Sequence, residues 1–174
     1  FMAGMPAIVK PATLTCYLTE LMVREIIGTK ILPEGALQLI CGSANGILDH
    51  VCCEDVVTFT GSASTGKKLK ANSKLLDEAV PFNMEADSLN ASILGEDAIP
   101  GTEEFDLYIK EVQKEMIVKA GQKCTAVRRI IVPDKLVEDV QKALCDRLSK
   151  TIIGNPSTEG VRMGSLAGRP QVIE

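Results

Sequence analysis

The sequence predicts an α/β protein built on parallel strands. Three observations carry that expectation. Short apolar runs recur at residues 7–10 (AIVK), 36–40 (ALQLI), 56–60 (VVTFT) and 79–84 (AVPFNM). Helix-patterned or loop segments separate them, and Gly or Pro punctuates the joints. Strands that alternate with helices close most readily into a parallel sheet with helical cover.

The first strand is stopped by Pro11, and Thr13 to Thr15 then stand where a helix through Ile27 could be capped, with Leu18, Leu21, Met22 and Ile26 as its apolar positions. Pro33-Glu34-Gly35 turns the chain into the second strand, and Cys41 to Gly46 form a loop. The third strand runs into Gly61-Ser62-Ala63-Ser64-Thr65-Gly66 and a basic helical stretch, KKLKANSKLL. The fourth ends at Glu85. Past residue 98 the pattern changes: a long helix over 103–120, the segment GQKCTAVRR, a strand at 129–132 and a helix over 135–150. A domain change is therefore expected shortly after Glu85, dividing the chain into residues 1–87 and 88–174.

Composition narrows the function classes. The 174 residues are 45% hydrophobic and 24% charged, within the range of chains that bury a core. A net charge of −4, no Trp and two Tyr argue against a nucleic-acid partner. The apolar runs are too short for a membrane span, and the start lacks the charged and apolar regions of a signal peptide, so a cytoplasmic location is expected. The first and last residues read as cuts through a longer chain. Six cysteines without CxxC spacing, and His50 as the only histidine, point to reduced thiols and to no metal site.

Two segments carry candidate chemistry. Gly61 and Ser62 lie between a strand and a helix, where backbone N–H groups and the positive helix end attract a phosphate. A plain helix-opening turn has the same look. Cys124, in Gly121-Gln122-Lys123-Cys124-Thr125, follows a predicted helix end, with Lys119, Lys123, Arg128 and Arg129 nearby to favour a thiolate. From these residues alone, core packing is the better account of such a cysteine.

Read together, these segments resemble the aldehyde dehydrogenase family. Its Phe-Thr-Gly-Ser loop matches Phe59 to Ser62, its Gly-Gln-x-Cys motif matches Gly121 to Cys124, its glutamate-bearing strand end matches Glu85, and its cofactor lysine matches Lys10. The stretches Pro81-Phe82-Asn83-Met84-Glu85-Ala86-Asp87-Ser88-Leu89-Asn90 and Gly121 to Ala126 are similar to the phenylacetate-degradation branch of that family. Glu85-Ala86-Asp87-Ser88 replaces the commoner Glu-Leu-Gly-Gly. The resemblance implies part of a Rossmann-like nucleotide-binding domain over residues 1–87, followed by the start of an α/β catalytic domain over 88–174.

It further implies a fragment of an NAD(P)-dependent oxidoreductase acting on a CoA-linked semialdehyde, with Cys124 as nucleophile and Glu85 as the base that activates water. Lys10, Thr13, Gly61 and Ser62 would bind the nucleotide, and the full-length enzyme would be a homo-oligomer. Many NAD-using relatives carry glutamate where Thr13 stands, so NADP is the expected cofactor, with NAD as the alternative. The family's oxyanion asparagine and its ribose-binding glutamate fall outside this chain, so the fragment alone is expected to be inactive. A non-catalytic nucleotide-binding module is the competing class.

Overall fold

The computed structural model describes residues 1–173; Glu174, where the sequence reads as cut, lies outside the described residues. The chain divides into two units, Phe1–Ala86 and Asp87–Glu174.

In the first unit, β1 (Ala7–Val9) pairs parallel with β2 (Leu37–Leu39), in register Ala7 to Leu37, and α1 (Cys16–Gly28) crosses between them. Neither Thr13 nor Thr15 caps α1 through its side chain. The helix is entered instead through a 3-10 turn, Thr13–Thr15, closed by the Thr15 N–H on the Ala12 carbonyl at 3.1 Å. Val23 is the buried residue of α1, whereas Leu18, Leu21 and Met22 are exposed.

β3 (Val57–Gly61) runs parallel to β4 (Phe82–Ala86), and the pair is covered by α2 (Ala63–Lys70), while α3 (Ser73–Asp77) packs against the 3-10 turn Ile47–His50. The basic stretch read as one helical segment is two helices, because Asn72 breaks it and its Oδ1 accepts the Lys74 N–H at 2.9 Å. Gly66 lets α2 lie close on the strands. A β-carbon there would strike the Met84 thioether and stand 3.1 Å from the Phe59 ring. The fourth strand starts at Phe82, three residues later than expected, and runs through Glu85 to Ala86, since Ala79 (φ +52°) and Val80 terminate α3.

In the second unit, β5 (Ala91–Ile93) pairs parallel with β6 (Arg129–Ile131). α4 (Glu103–Ile117) opens where its sequence predicts. Thr102 Oγ1 accepts the Phe105 N–H at 3.3 Å, and Glu103, Glu104 and Asp106 face the positive end of the helix dipole. Its Phe105, Ile109 and Val112, at i, i+4 and i+7, meet Leu136 together with Val140 and Leu144 of α5 (Val137–Leu148) in the core of this unit. Tyr108 packs at the margin and donates its hydroxyl to the Ser92 carbonyl at 3.1 Å, while burial pushes its phenol above the usual range. A short helix, α6 (Pro170–Ile173), follows.

α4 ends at Ile117, three residues before the expected Ala120. Val118–Gly121 form a 3-10 turn in which Lys119 (φ +52°), Ala120 (φ +53°) and Gly121 (φ +70°) are all left-handed. Only glycine adopts that region without steric cost, so Lys119 and Ala120 are strained. No helix among the described residues is long and apolar enough to cross a membrane.

Candidate active site

In the first unit the carboxyl ends of β1 and β3 border one cavity of about 1080 Å³, and Lys10, Thr13, Gly61 and Ser62 all line it. Parallel α/β proteins take ligands at such strand ends, where backbone N–H groups of the following helix face outward. Gly61 is the last residue of β3, and Ser62 is the N-cap of α2. The Ser62 hydroxyl lies 3.0 Å from Thr65 Oγ1 and accepts the Thr65 N–H at 3.4 Å. Lys10 Nζ donates to the Pro11 carbonyl at 3.1 Å, and Lys68 adds a second ammonium to the lining. Two cations, hydroxyls and a helix N-terminus suit an anionic, phosphate-bearing ligand.

Glu85 sits within β4 opposite Thr60 of β3, exposed, and outside the lining of that cavity. Strand alternation puts it on the face away from Met84, which packs on α2.

In the second unit Cys124 is an exposed, free thiol in the turn between the left-handed run and β6. Side chains grip this loop from several directions. Arg128 Nη2 donates to the carbonyls of Gly121 at 3.1 Å and Lys123 at 3.3 Å. Gln122 Nε2 donates to the Lys119 carbonyl at 2.9 Å, while Gln122 Oε1 accepts the Ala167 N–H at 2.8 Å. Asn90 Nδ2 donates to the carbonyls of Cys124 at 2.6 Å and Ala126 at 3.1 Å. Lys123, expected beside the thiol as a cation, has its ammonium on Glu115 Oε1 of α4 at 2.7 Å. Asn90 was not singled out by the sequence, because its partners lie 34 and 36 residues away. The other five cysteines are free as well.

Parallel strand pairs with helices between them, and a phosphate-suited cavity at the strand ends of the first unit, are features of α/β proteins of the Rossmann-like, nucleotide-binding class. The chain belongs to the aldehyde dehydrogenase family, whose profile matches residues 1–173. It is 46% identical over 170 residues to the 3,4-dehydroadipyl-CoA semialdehyde dehydrogenase of Aromatoleum evansii, covering 98% of this chain and 33% of that protein. Betaine aldehyde dehydrogenase from Staphylococcus aureus, solved with NAD+, superposes with a TM-score of 0.82 at 27% identity, covering 96% of this chain and 32% of the other. An apo form of that enzyme with one substitution gives 0.81 at 28% identity, over 96% and 32% of the two chains. The chain thus spans about a third of the length of the relatives it matches.

Proposed function

We propose that this chain is the central part of an NAD(P)-dependent aldehyde dehydrogenase that oxidises a CoA-linked semialdehyde to the acid. In this reading Phe1–Ala86 belongs to the nucleotide-binding domain and Asp87–Glu174 to the thiol-bearing catalytic domain. The observation that carries it is the cavity at the strand ends, lined by Lys10, Thr13, Gly61 and Ser62. The similarity to a CoA semialdehyde dehydrogenase supports the substrate class. A cytoplasmic homo-oligomer completes the reading.

The residues fit a nicotinamide dinucleotide. Lys10 and the start of α2, at Gly61 and Ser62, would hold its phosphates. Thr13, uncharged, leaves Lys10 to attract a 2′-phosphate, which favours NADP. When bound, the cofactor supplies the acceptor for the hydride that leaves the substrate carbon.

The chain's own residues do the rest. The Cys124 sulfur attacks the aldehyde carbonyl to give a thiohemiacetal, and the same sulfur carries the acyl group as a thioester. Glu85 takes a proton from water, which attacks the thioester carbonyl and releases the acid and the thiol. The Cys124 backbone N–H is available to the developing oxyanion, where a donor is worth about 3 kcal/mol.

The test is Cys124→Ser in the full-length protein, with nicotinamide reduction followed optically. Loss of turnover with the fold retained supports the reading. Nucleotide binding without any aldehyde oxidation by the parent protein would leave a binding module in its place.

A further inference from the structure

Asn90 joins the Cys124 segment through both its backbone and its side chain. Its carbonyl accepts the N–H groups of Arg128 at 2.8 Å and Arg129 at 3.1 Å, at the entrance to β6. Its amide nitrogen donates to Cys124 O at 2.6 Å and Ala126 O at 3.1 Å. Two carbonyl acceptors admit only the nitrogen end of an amide, so chemistry fixes the side chain's orientation.

That double bond pattern determines more than local order. The orientation of the Cys124 carbonyl is set by rotation about the bond between its Cα and carbonyl carbon, and the same Cα carries the sulfur-bearing arm. Ala126, 1% exposed, anchors the far end of the turn in packed surroundings. One donor nitrogen shared by the carbonyls of residues 124 and 126 therefore holds the turn between a buried anchor and an exposed thiol.

We propose that Asn90 is a positioning residue for Cys124: it fixes the backbone on which the thiol and its own N–H are presented to the substrate. This rests on the reading of Cys124 as the nucleophile. Asn90 touches neither substrate nor cofactor in this role, so its effect falls on reactivity rather than on cofactor affinity.

The experiment compares Asn90→Ala, Asn90→Asp and Cys124→Ser with the parent, all in the full-length protein. Asn90→Asp keeps the shape but turns a carboxylate oxygen towards two carbonyl oxygens. We expect kcat to fall roughly tenfold to a hundredfold in both Asn90 variants, as small misplacements of a reacting group do. Labelling of Cys124 by iodoacetamide should slow in step, while KM for the nicotinamide cofactor stays within about twofold, the split that marks a loss confined to the chemical step.

Parent-like kcat and labelling in the Asn90 variants, with Cys124→Ser inactive, would overturn the role of Asn90 alone. A fall in kcat accounted for by loss of folded protein, or failure of both Asn90 variants to fold, overturns it as well and leaves Asn90 a folding residue. Turnover retained in Cys124→Ser would remove the underlying reading of the nucleophile.

Discussion

The backbone N–H of Ala167 donates to Gln122 Oε1 at 2.8 Å, tying the cysteine loop to a segment 45 residues further along the chain. The other end of the same amide holds the Lys119 carbonyl at 2.9 Å, within the left-handed run. Gln122→Leu removes both bonds at once. At about 0.5–1.5 kcal/mol for each hydrogen bond, a loss of about 1–3 kcal/mol is expected. Urea unfolding measures it, and amide exchange at Ala167 should accelerate; an unchanged midpoint together with unchanged exchange would refute the coupling.

Glu85 stands opposite Thr60 on the strand pair of the first unit. If it activates water, Glu85→Gln leaves thiohemiacetal formation intact and stops release of the acid. Rapid mixing should then show one burst of nicotinamide reduction per active site, followed by turnover slowed about 10²–10⁴-fold. Steady turnover at the parent rate would assign the base elsewhere.

Thr13 and Lys10 line the same cavity. Thr13→Glu places a carboxylate where an uncharged hydroxyl now stands, and a carboxylate repels a 2′-phosphate while accepting hydrogen bonds from a ribose. The ratio of kcat/KM for NADP over NAD should drop by about tenfold or more, since each tenfold step corresponds to about 1.4 kcal/mol. A parent enzyme that already uses NAD as well as NADP would contradict the premise.

Ala79 closes α3 in a left-handed conformation, φ +52°. The Val80 N–H reaches back to the Leu75 carbonyl at 2.9 Å and the Ala79 N–H to the Leu76 carbonyl at 3.2 Å, while the side chains of Val80 and Leu75 are both buried. This is a Schellman closure with alanine where glycine is usual. Ala79→Gly relieves the strain and loses some unfolded-state restriction, for a net gain of about 0.5–1 kcal/mol. Thermal unfolding is the readout, with a lower melting temperature as the contrary result.

Much of this architecture is legible from local chemistry. Pro11, Pro33-Glu34-Gly35 and the Thr102 cap interrupt or start elements through backbone rules that act within a few residues. The gathering of Lys10, Thr13, Gly61 and Ser62 around one cavity was expected only once the order of motifs suggested a family. What escaped is decided at long range. The strand Ala91–Ile93 is three residues of Ala, Ser and Ile, with too little periodicity to stand out, and it exists through its pairing with Arg129–Ile131. Val118, Lys119 and Ala120 look like a continuation of α4, and only Gly121 signals a stop. Bonds from Gln122 and Arg128 to the carbonyls of this turn accompany left-handed geometry against the residues' own preference. The grip of Asn90 on Cys124 leaves no trace in spacing at all.

The side-chain hydrogen bonds that hold residues 119–126, from Asn90, Arg128 and Gln122, are made to main-chain carbonyls and to the Ala167 N–H. Main-chain atoms are the same whatever residue occupies a position. Thr125, exposed beside the thiol, can therefore be randomised in a directed-evolution library while the scaffold beneath it stays put. Such a library would vary the surface around the sulfur without unseating it, which makes this turn a natural place to re-tune substrate preference.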